Sequence, residues 1–254
     1  MSGLLARLIS PLAAPADFSA VLAGGWALAP ATELATRPVE IAGAGTVPLG
    51  DLCSVSGEPD GTIRFEGDFR QAVRLGAGLA EGTVVIDGTA GDEVGLGMAG
   101  GAIEVRGDAG ARAGAAALEA RRGMTGGELV VHGSVGEGAG ALMRRGLLAA
   151  GGAVGHHAGA GMLAGTIVAF GPLGPAAGLW SKRGSLVALG AVTVPSTYRY
   201  ACTYQPIHLR LLFTRLRERY RLPVEDRHVS GRFRRYSGDL ADLGKGEILE
   251  WTAE

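Results

Sequence analysis

Short runs of alternating apolar and polar residues recur along the middle of the chain, and each run ends on a glycine. A period of two residues is typical of a β-strand that buries one face. The pattern therefore predicts a series of short strands. The clearest runs are TIRFEG (62–67), TVVIDG (83–88), AIEVRG (102–107), ELVVHG (128–133), TIVAFG (166–171) and SLVALG (185–190).

The spacing of the terminal glycines defines a repeat of about nineteen residues. The steps from Gly133 to Gly152, Gly171 and Gly190 are nineteen residues each, and the earlier steps are 21, 19 and 26. We interpret the longest step as a loop insertion around AALEARRGMT (116–125). A unit this short has no room for a helix and a strand, so it predicts an all-β solenoid. The expected form is a parallel β-helix whose coils stack about 4.8 Å apart.

A second motif lies between the strands and places Met98, Met143 and Met162 at equivalent points of the repeat. An unbranched thioether side chain adapts to a narrow interior. We therefore expect these methionines to fill the core at a corner of the coil, and we assign them no metal or cofactor. The motif copies are VGLGMAGG (94–101), GAGALMRRG (138–146) and HAGAGMLAG (157–165).

The pattern divides the chain into three segments. Residues 1–60 lack the repeat and are expected to cap the first coil, residues 61–194 carry the repeats, and residues 195–254 form a capping or partner-binding extension. One helix is predicted in the extension, opened by Pro206 and ended before Pro223. Its apolar stripe, expected to cap the last coil or pack on a partner, comprises Leu209, Leu212, Phe213, Leu216 and Tyr220.

Composition and charge narrow the function classes. The formal net charge of −1 gives no sign of nucleic-acid binding. Residues 146–181 carry no Asp, Glu, Lys or Arg, but the repeat runs through them in phase and glycines interrupt them, so no membrane span is expected. Cys53 and Cys202 are the only cysteines, which fits a reduced, cytoplasmic setting.

Few residues in the repeats suggest chemistry, and no catalytic or metal-binding constellation is predicted. His156 and His157 have no nearby acidic residue or cysteine in the chain, so one ring is expected to fill or hydrogen-bond at a corner and the other to be exposed. Two arginine pairs are better candidates, because guanidinium groups match carboxylates and phosphates. Arg121 with Arg122 and Arg144 with Arg145 are expected to stack on one side of the solenoid, as a solvated face or as contacts to an anionic carrier or a partner.

Two further segments, together with the repeat, carry a resemblance to a known family. They are VPLGDLCSVSG (47–57) and RRYSGDLADLGKGEIL (234–249). In that order these features resemble the C-type subunit of formylmethanofuran dehydrogenase, including the version in the formyltransferase/hydrolase complex of methylotrophic bacteria. The resemblance extends from about Val47 to the end of the chain. The C-terminal β-helix of glutamate synthase is more distantly similar.

The resemblance implies a right-handed β-helix acting as a scaffold subunit in one-carbon metabolism. Such a complex moves a formyl group from formyl-tetrahydromethanopterin, through a methanofuran-type carrier, to formate. It implies an amidohydrolase-like subunit that holds the metal, a formyltransferase subunit and a further dehydrogenase-type subunit as partners. This chain is expected to bind no cofactor itself. Two alternatives stay open: a β-helical spacer or regulatory module like that of glutamate synthase, and a stand-alone β-helix that binds a polyanion.

Overall fold

The computed structural model describes residues 3–253, and most of their regular structure is β-strand. The strands form a large mixed sheet of twelve strands and a small sheet of four. In chain order they are β1 (Leu4–Leu8), β2 (Ala16–Asp17), β3 (Pro38–Ile41), β4 (Gly45–Pro48), β5 (Cys53–Gly57), β6 (Thr62–Glu66), β7 (Ala72–Val73), β8 (Thr83–Asp87), β9 (Ala102–Val105), β10 (Glu128–Val131), β11 (Leu147–Ala150), β12 (Thr166–Ala169), β13 (Arg183–Ala188), β14 (Arg199–Tyr204), β15 (Arg232–Gly238) and β16 (Lys245–Thr252).

Helices are few and mostly short. They are α1 (Ala31–Leu34), α2 (Leu49–Leu52), α3 (Ile207–Tyr220) and α4 (Asp226–Ser230), with a 3₁₀ turn at Trp26–Leu28. Within residues 3–253, no helix combines the length and the apolar character needed to cross a bilayer. The uncharged stretch at 146–181 instead contains strands β11 and β12.

Consecutive repeats place their strands side by side in the large sheet. Strands β6 and β8 to β13 are neighbours in chain order, and every pair among them is parallel. Thr83 pairs with Ala102 and Thr166 with Ser185, so the nineteen-residue step of the sequence is also the register of the sheet. The prediction of a mainly β fold is confirmed, whereas the closed coil and its handedness stay predictions.

A second ladder runs beside the sheet. Single parallel bridges link one residue of each repeat to the next, in the order Phe69, Ala90, Ala109, Val135, Val154, Leu173 and Val192. Side chains from both ladders share one continuous hydrophobic core, which includes Leu129, Val131 and Val135. Every repeat therefore contacts its neighbours at two places and contributes to the same core.

The opposite face of the sheet is covered by helix α3. Alternate strand residues such as Val130, Ala149 and Val168 form a second cluster with Phe213 and Leu216 of the helix. The predicted helix is confirmed, and four residues of its stripe are buried, with Leu212 partly buried. It packs on the outer face of the sheet of its own chain, because strand side chains alternate between faces and the outward ones here are apolar.

The extension holds more structure than the single predicted helix. Helix α4 follows α3, opened by a capping box in which the Glu225 carboxylate and the His228 ring each bind the other residue's backbone amide. Strands β14, β15 and β16 come from the extension as well. These strands were not predicted, because only a change in composition marks residues 195–254 in the sequence and no glycine-ended repeat continues there.

Antiparallel strands lie at both edges of the large sheet. Strand β1 pairs in parallel with β6 and antiparallel with the edge strand β5. At the other edge, β16 pairs in parallel with β13, and β15 and β14 follow antiparallel. The division into segments 1–60, 61–194 and 195–254 stays a prediction, and residues 1–2 and 254 lie outside the described part of the chain.

Candidate functional site

The chain turns between the two ladders through a backbone that is left-handed at every second residue. His157, Gly159 and Gly161 have φ of 59°, 64° and 64°. The Gly159 amide donates to Ala139 of the preceding repeat, and the Gly161 amide donates to Leu179 of the following one. Each corner is therefore hydrogen-bonded in both directions, which fixes the residues that come after it.

A methionine follows each of these corners and points into the core. Met98, Met143 and Met162 are fully buried, which confirms their predicted core position. The glycine before the next strand leaves room for the thioether: a Cβ at Gly165 would lie 3.0 Å from Cε of Met143. Met124 fills the same position in its repeat and was missed, because the insertion moves it out of the regular spacing.

The residues that follow Met143, Met162 and Ser181, the last of which replaces the methionine in its repeat, line a pocket of about 360 Å³. Its walls hold four cationic side chains, two of which were not singled out in the sequence. We call this site the basic pocket. It is lined by Arg144, Arg145, Leu163, Ala164, Lys182, Arg183 and Leu243.

Backbone hydrogen bonds align the pocket residues in consecutive repeats. The Leu163 amide donates to the Met143 carbonyl, and the Lys182 amide donates to the Met162 carbonyl. Arg144, Leu163 and Lys182 therefore occupy the same place in three successive repeats, nineteen residues apart. That spacing is the signal that could have joined Lys182 and Arg183 to the predicted arginine pair.

Few carboxylates lie close enough to neutralise the cations of the basic pocket. Lys182 lies 3.8 Å from a carboxylate oxygen of Asp242, which is a long contact. Among residues 3–253, no Asp or Glu forms an ion pair with Arg144, Arg145 or Arg183. The pocket therefore presents an excess of positive charge to the surroundings.

Apolar side chains stand exposed beside the basic pocket. Trp180, Leu240 and Leu243 are 61%, 56% and 52% exposed. The Trp180 amide donates a 2.8 Å hydrogen bond to the buried Asp239 carboxylate, which holds the 239–244 loop next to this corner. Burial raises the pKa of Asp239, but hydrogen bonds from the amides of Ala241 and Trp180 outweigh this effect and lower the pKa below its ordinary value. The carboxylate is therefore charged and anchors the loop.

The other predicted arginine pair lies elsewhere in the repeat. Arg121 and Arg122 are exposed in the insertion before Met124, whereas Arg144 and Arg145 follow Met143. The Arg144 amide donates to the Met124 carbonyl, so the two pairs are offset in register. The expectation that they stack on one another is therefore wrong. The inserted residues precede the methionine, which is the reason for the offset. A role in binding stays a prediction for all four arginines.

The histidine pair does not behave as expected. Both His156 and His157 are exposed, with ring centroids 6.4 Å apart, so neither ring fills the corner. Ala158 and Met162 occupy the interior there, and the left-handed His157 backbone belongs to the turn. In the described chain, no group of three His, Cys, Asp or Glu side chains could hold a metal ion.

A second group of arginines, on an earlier corner of the repeats, is fully paired. Arg74 and Arg112 each donate to one oxygen of Glu93, at 2.8 and 2.9 Å, and Arg74 also reaches Asp17 at 2.7 Å. We call this group the Glu93 network. Burial raises the pKa of Glu93, but the hydrogen bonds from Arg74 and Arg112 more than offset this and lower it below its ordinary value.

Comparison with known proteins assigns the family. No protein-family model and no curated protein matches the chain. A solved structure does match, the X-ray crystal structure of the formyltransferase/hydrolase complex (FhcABCD) from Methylorubrum extorquens in complex with methylofuran. The similarity covers 97% of this chain and 98% of that chain, with 31% sequence identity and a TM-score of 0.76. The chain belongs to the family of formylmethanofuran dehydrogenase C-type subunits.

The resemblance drawn from the sequence is thereby confirmed. Because the match leaves out only a few residues in a hundred, membership of the C-type family rests on the repeats and on the extension that carries helix α3. The basic pocket is formed by both parts, since Leu243 of the extension lies against residues of three repeats.

Proposed function

We propose that the chain is a non-catalytic scaffold subunit of a formyltransferase/hydrolase complex in one-carbon metabolism. The observation that carries this proposal is the match, at 31% identity over 97% of the chain, to a chain of such a complex. A likeness of this extent between whole chains favours a shared place in a shared assembly.

The proposed complex transfers a formyl group from formyl-tetrahydromethanopterin, through a methanofuran-type carrier, to formate. The chemistry is assigned to partners: an amidohydrolase-like subunit that holds the metal and a formyltransferase subunit, with a further dehydrogenase-type subunit beside them. The related crystal structure contains methylofuran, which supports the carrier assignment. The two free cysteines, Cys53 and Cys202, support a cytoplasmic location.

A right-handed parallel β-helix is the architecture that we propose for the scaffold. Two parallel ladders, one of strands and one of single bridges, support a closed coil in each repeat. The corners that link the ladders are hydrogen-bonded to both neighbouring repeats. Such a body resists bending, because deformation would break backbone hydrogen bonds between many repeats at once. Rigidity of this kind suits a subunit that holds others in place.

Native mass spectrometry of the tagged chain, isolated from its own host at natural abundance, tests the proposal. We expect a hetero-oligomer that contains amidohydrolase-like and formyltransferase-like chains, and the same tag expressed alone should recover neither. Isolation of the chain alone would contradict the proposal. Recovery with a glutamate synthase polypeptide would favour the spacer alternative instead.

A further inference from the structure

We infer that the basic pocket and its apolar rim are the docking site for an acidic, partly apolar segment of a partner subunit, an inference that rests on the proposed function. The surface comprises the cations Arg144, Arg145, Lys182 and Arg183 and the exposed side chains of Trp180, Leu240 and Leu243.

The charge balance favours an acidic occupant. Four cationic side chains line the pocket, and among residues 3–253 the one carboxylate in ion-pair contact with them is that of Asp242, 3.8 Å from Lys182. Like charges held close together destabilise a folded chain unless counter-charges approach. Other arginines of the described chain have such counter-charges: Glu128 lies 2.7 Å from Arg215, and Glu93 serves two arginines. The pocket differs from these paired sites because it gathers four cations around a single long carboxylate contact.

The repeat sets the spacing of this charge. Arg144 and Lys182 occupy equivalent places two repeats apart, with Leu163 between them. Neighbouring strands are about 4.8 Å apart, so these cations emerge from backbone positions roughly 10 Å apart. A matching segment would carry carboxylates at about this separation, with an apolar group between them over Leu163.

The apolar rim favours a protein segment over a small anion. Leu243 lines the pocket, and Trp180 and Leu240, which are near Lys182 and Leu243 in the chain, are also more than half exposed. A small carboxylate would offset only part of the charge of the pocket and would leave this rim in water. Tryptophan and arginine are the residues that most often dominate the energy of protein interfaces. Covering the rim would also exclude water from the ion pairs and strengthen them.

Charge reversal in the intact assembly tests the inference, with a matched control in the same chain. Tagged wild type, R144E/R145E and R121E/R122E are isolated from the host, and the recovery of each partner per tagged chain is quantified. We expect R144E/R145E to lose at least one partner by about tenfold or more, since reversing paired interface charges creates repulsion. R121E/R122E makes the same change of charge on the exposed insertion, outside the pocket, and should remain within about twofold of wild type if the pocket and not the insertion docks the partner.

Two further measurements separate a docking defect from a folding defect. K182E/R183E alters the same pocket two repeats away and should lose the same partner, while both pocket variants keep the unfolding midpoint of the wild-type chain. The partner should also dissociate from the wild-type complex as salt is raised, because ion pairs at a partly exposed interface are screened.

The outcomes distinguish the two proposals. If wild type assembles and both pocket variants keep every partner, the docking site is wrong and the proposed function stands. If wild type is recovered alone, the proposed function fails and the docking site falls with it. Binding of poly-L-glutamate by the isolated chain, lost in R144E/R145E while assembly is unchanged, would overturn the partner assignment in favour of a soluble polyanion.

Discussion

Two groups of arginines lie at corners of different copies of the repeat, and they differ in whether carboxylates neutralise their charge. In the Glu93 network, Arg74 and Arg112 share one carboxylate within 2.9 Å, and its side chain is only 13% exposed. In the basic pocket, Arg144, Arg145 and Arg183 have no such partner among residues 3–253. Both groups belong to the same hydrogen-bonded stack of repeats, although Arg74 and Arg112 have a left-handed backbone and the pocket arginines do not. From this difference we expect the first group to serve stability, and we propose that the second serves recognition.

The frame shared by both groups is the first part of this comparison to test, and it should show the largest effect. Met143 is fully buried directly before the pocket residue Arg144. Met143→Ala would leave a cavity in the core, and we expect it to lower the free energy of unfolding by about 2–4 kcal/mol in urea denaturation. Met143→Leu keeps the volume and should cost less than about 1.5 kcal/mol. Equal stability of both variants and wild type would show that the methionines are not core residues.

The Glu93 network should respond strongly to the loss of its one shared charge. Glu93→Gln keeps the shape of the side chain but leaves Arg74 and Arg112 without their common carboxylate. We expect the free energy of unfolding to fall by about 1–2 kcal/mol. Glu137→Gln makes the same change at an exposed corner residue and should cost less than about 0.5 kcal/mol. Similar losses in the two variants would remove the contrast on which the comparison depends.

The pH dependence of the stability difference between wild type and Glu93→Gln gives a second test of the role of Glu93. Its pKa in the folded protein lies below the ordinary value of 4.5. A lowered pKa stabilises the fold at pH above the unfolded value, and this contribution is lost as the pH falls through the folded pKa. The advantage of wild type over Glu93→Gln should therefore be constant near neutral pH and shrink below about 4.5. An advantage that grows towards acid would contradict the assignment.

Removing charges from the basic pocket should have the smallest effect on stability, in contrast to the Glu93 network. The double substitution Arg144→Gln and Arg183→Gln removes charges that have no carboxylate partner among residues 3–253. We expect the isolated chain to change by less than about 0.5 kcal/mol, and any change to be a gain that salt diminishes. Urea denaturation at two salt concentrations measures both. A loss above about 1 kcal/mol would mean that these arginines serve the fold after all.

The sequence predicted the repeated part of the fold well because its physical constraints are local. The alternation of Leu129 and Val131 with outward residues, and the constant step between glycines, translate directly into strands and their register. The extension was predicted less well. Its strands β14 to β16 pair antiparallel or with β13 across many residues, and no repeat identifies those partners. Helix α3 was found from its stripe, but the surface that it covers depends on which strand residues face outward.

The candidate site was predicted in part for a similar reason. The pair Arg144 and Arg145 was visible as adjacent charges, whereas Lys182 and Arg183 join them only when residues are compared at twice the repeat length. Arg121 and Arg122 looked equivalent because a glycine follows each pair, but the position of Met124 shows the true register. The contribution of the 239–244 loop depends on the Asp239 contact to Trp180, a tertiary interaction that spacing does not reveal.

The constant step between repeats also fixes the distances along the large sheet. Seven parallel strand-to-strand steps separate β13 from β1 in the sheet order, and at about 4.8 Å each they span roughly 34 Å. That length changes only in whole repeats, because a shorter insertion, like the one before Met124, is diverted into a loop and leaves the register of the strands intact. A protein that touches both ends of the sheet must therefore match a distance that takes only discrete values, and an added or deleted repeat would move its contacts by one complete strand spacing.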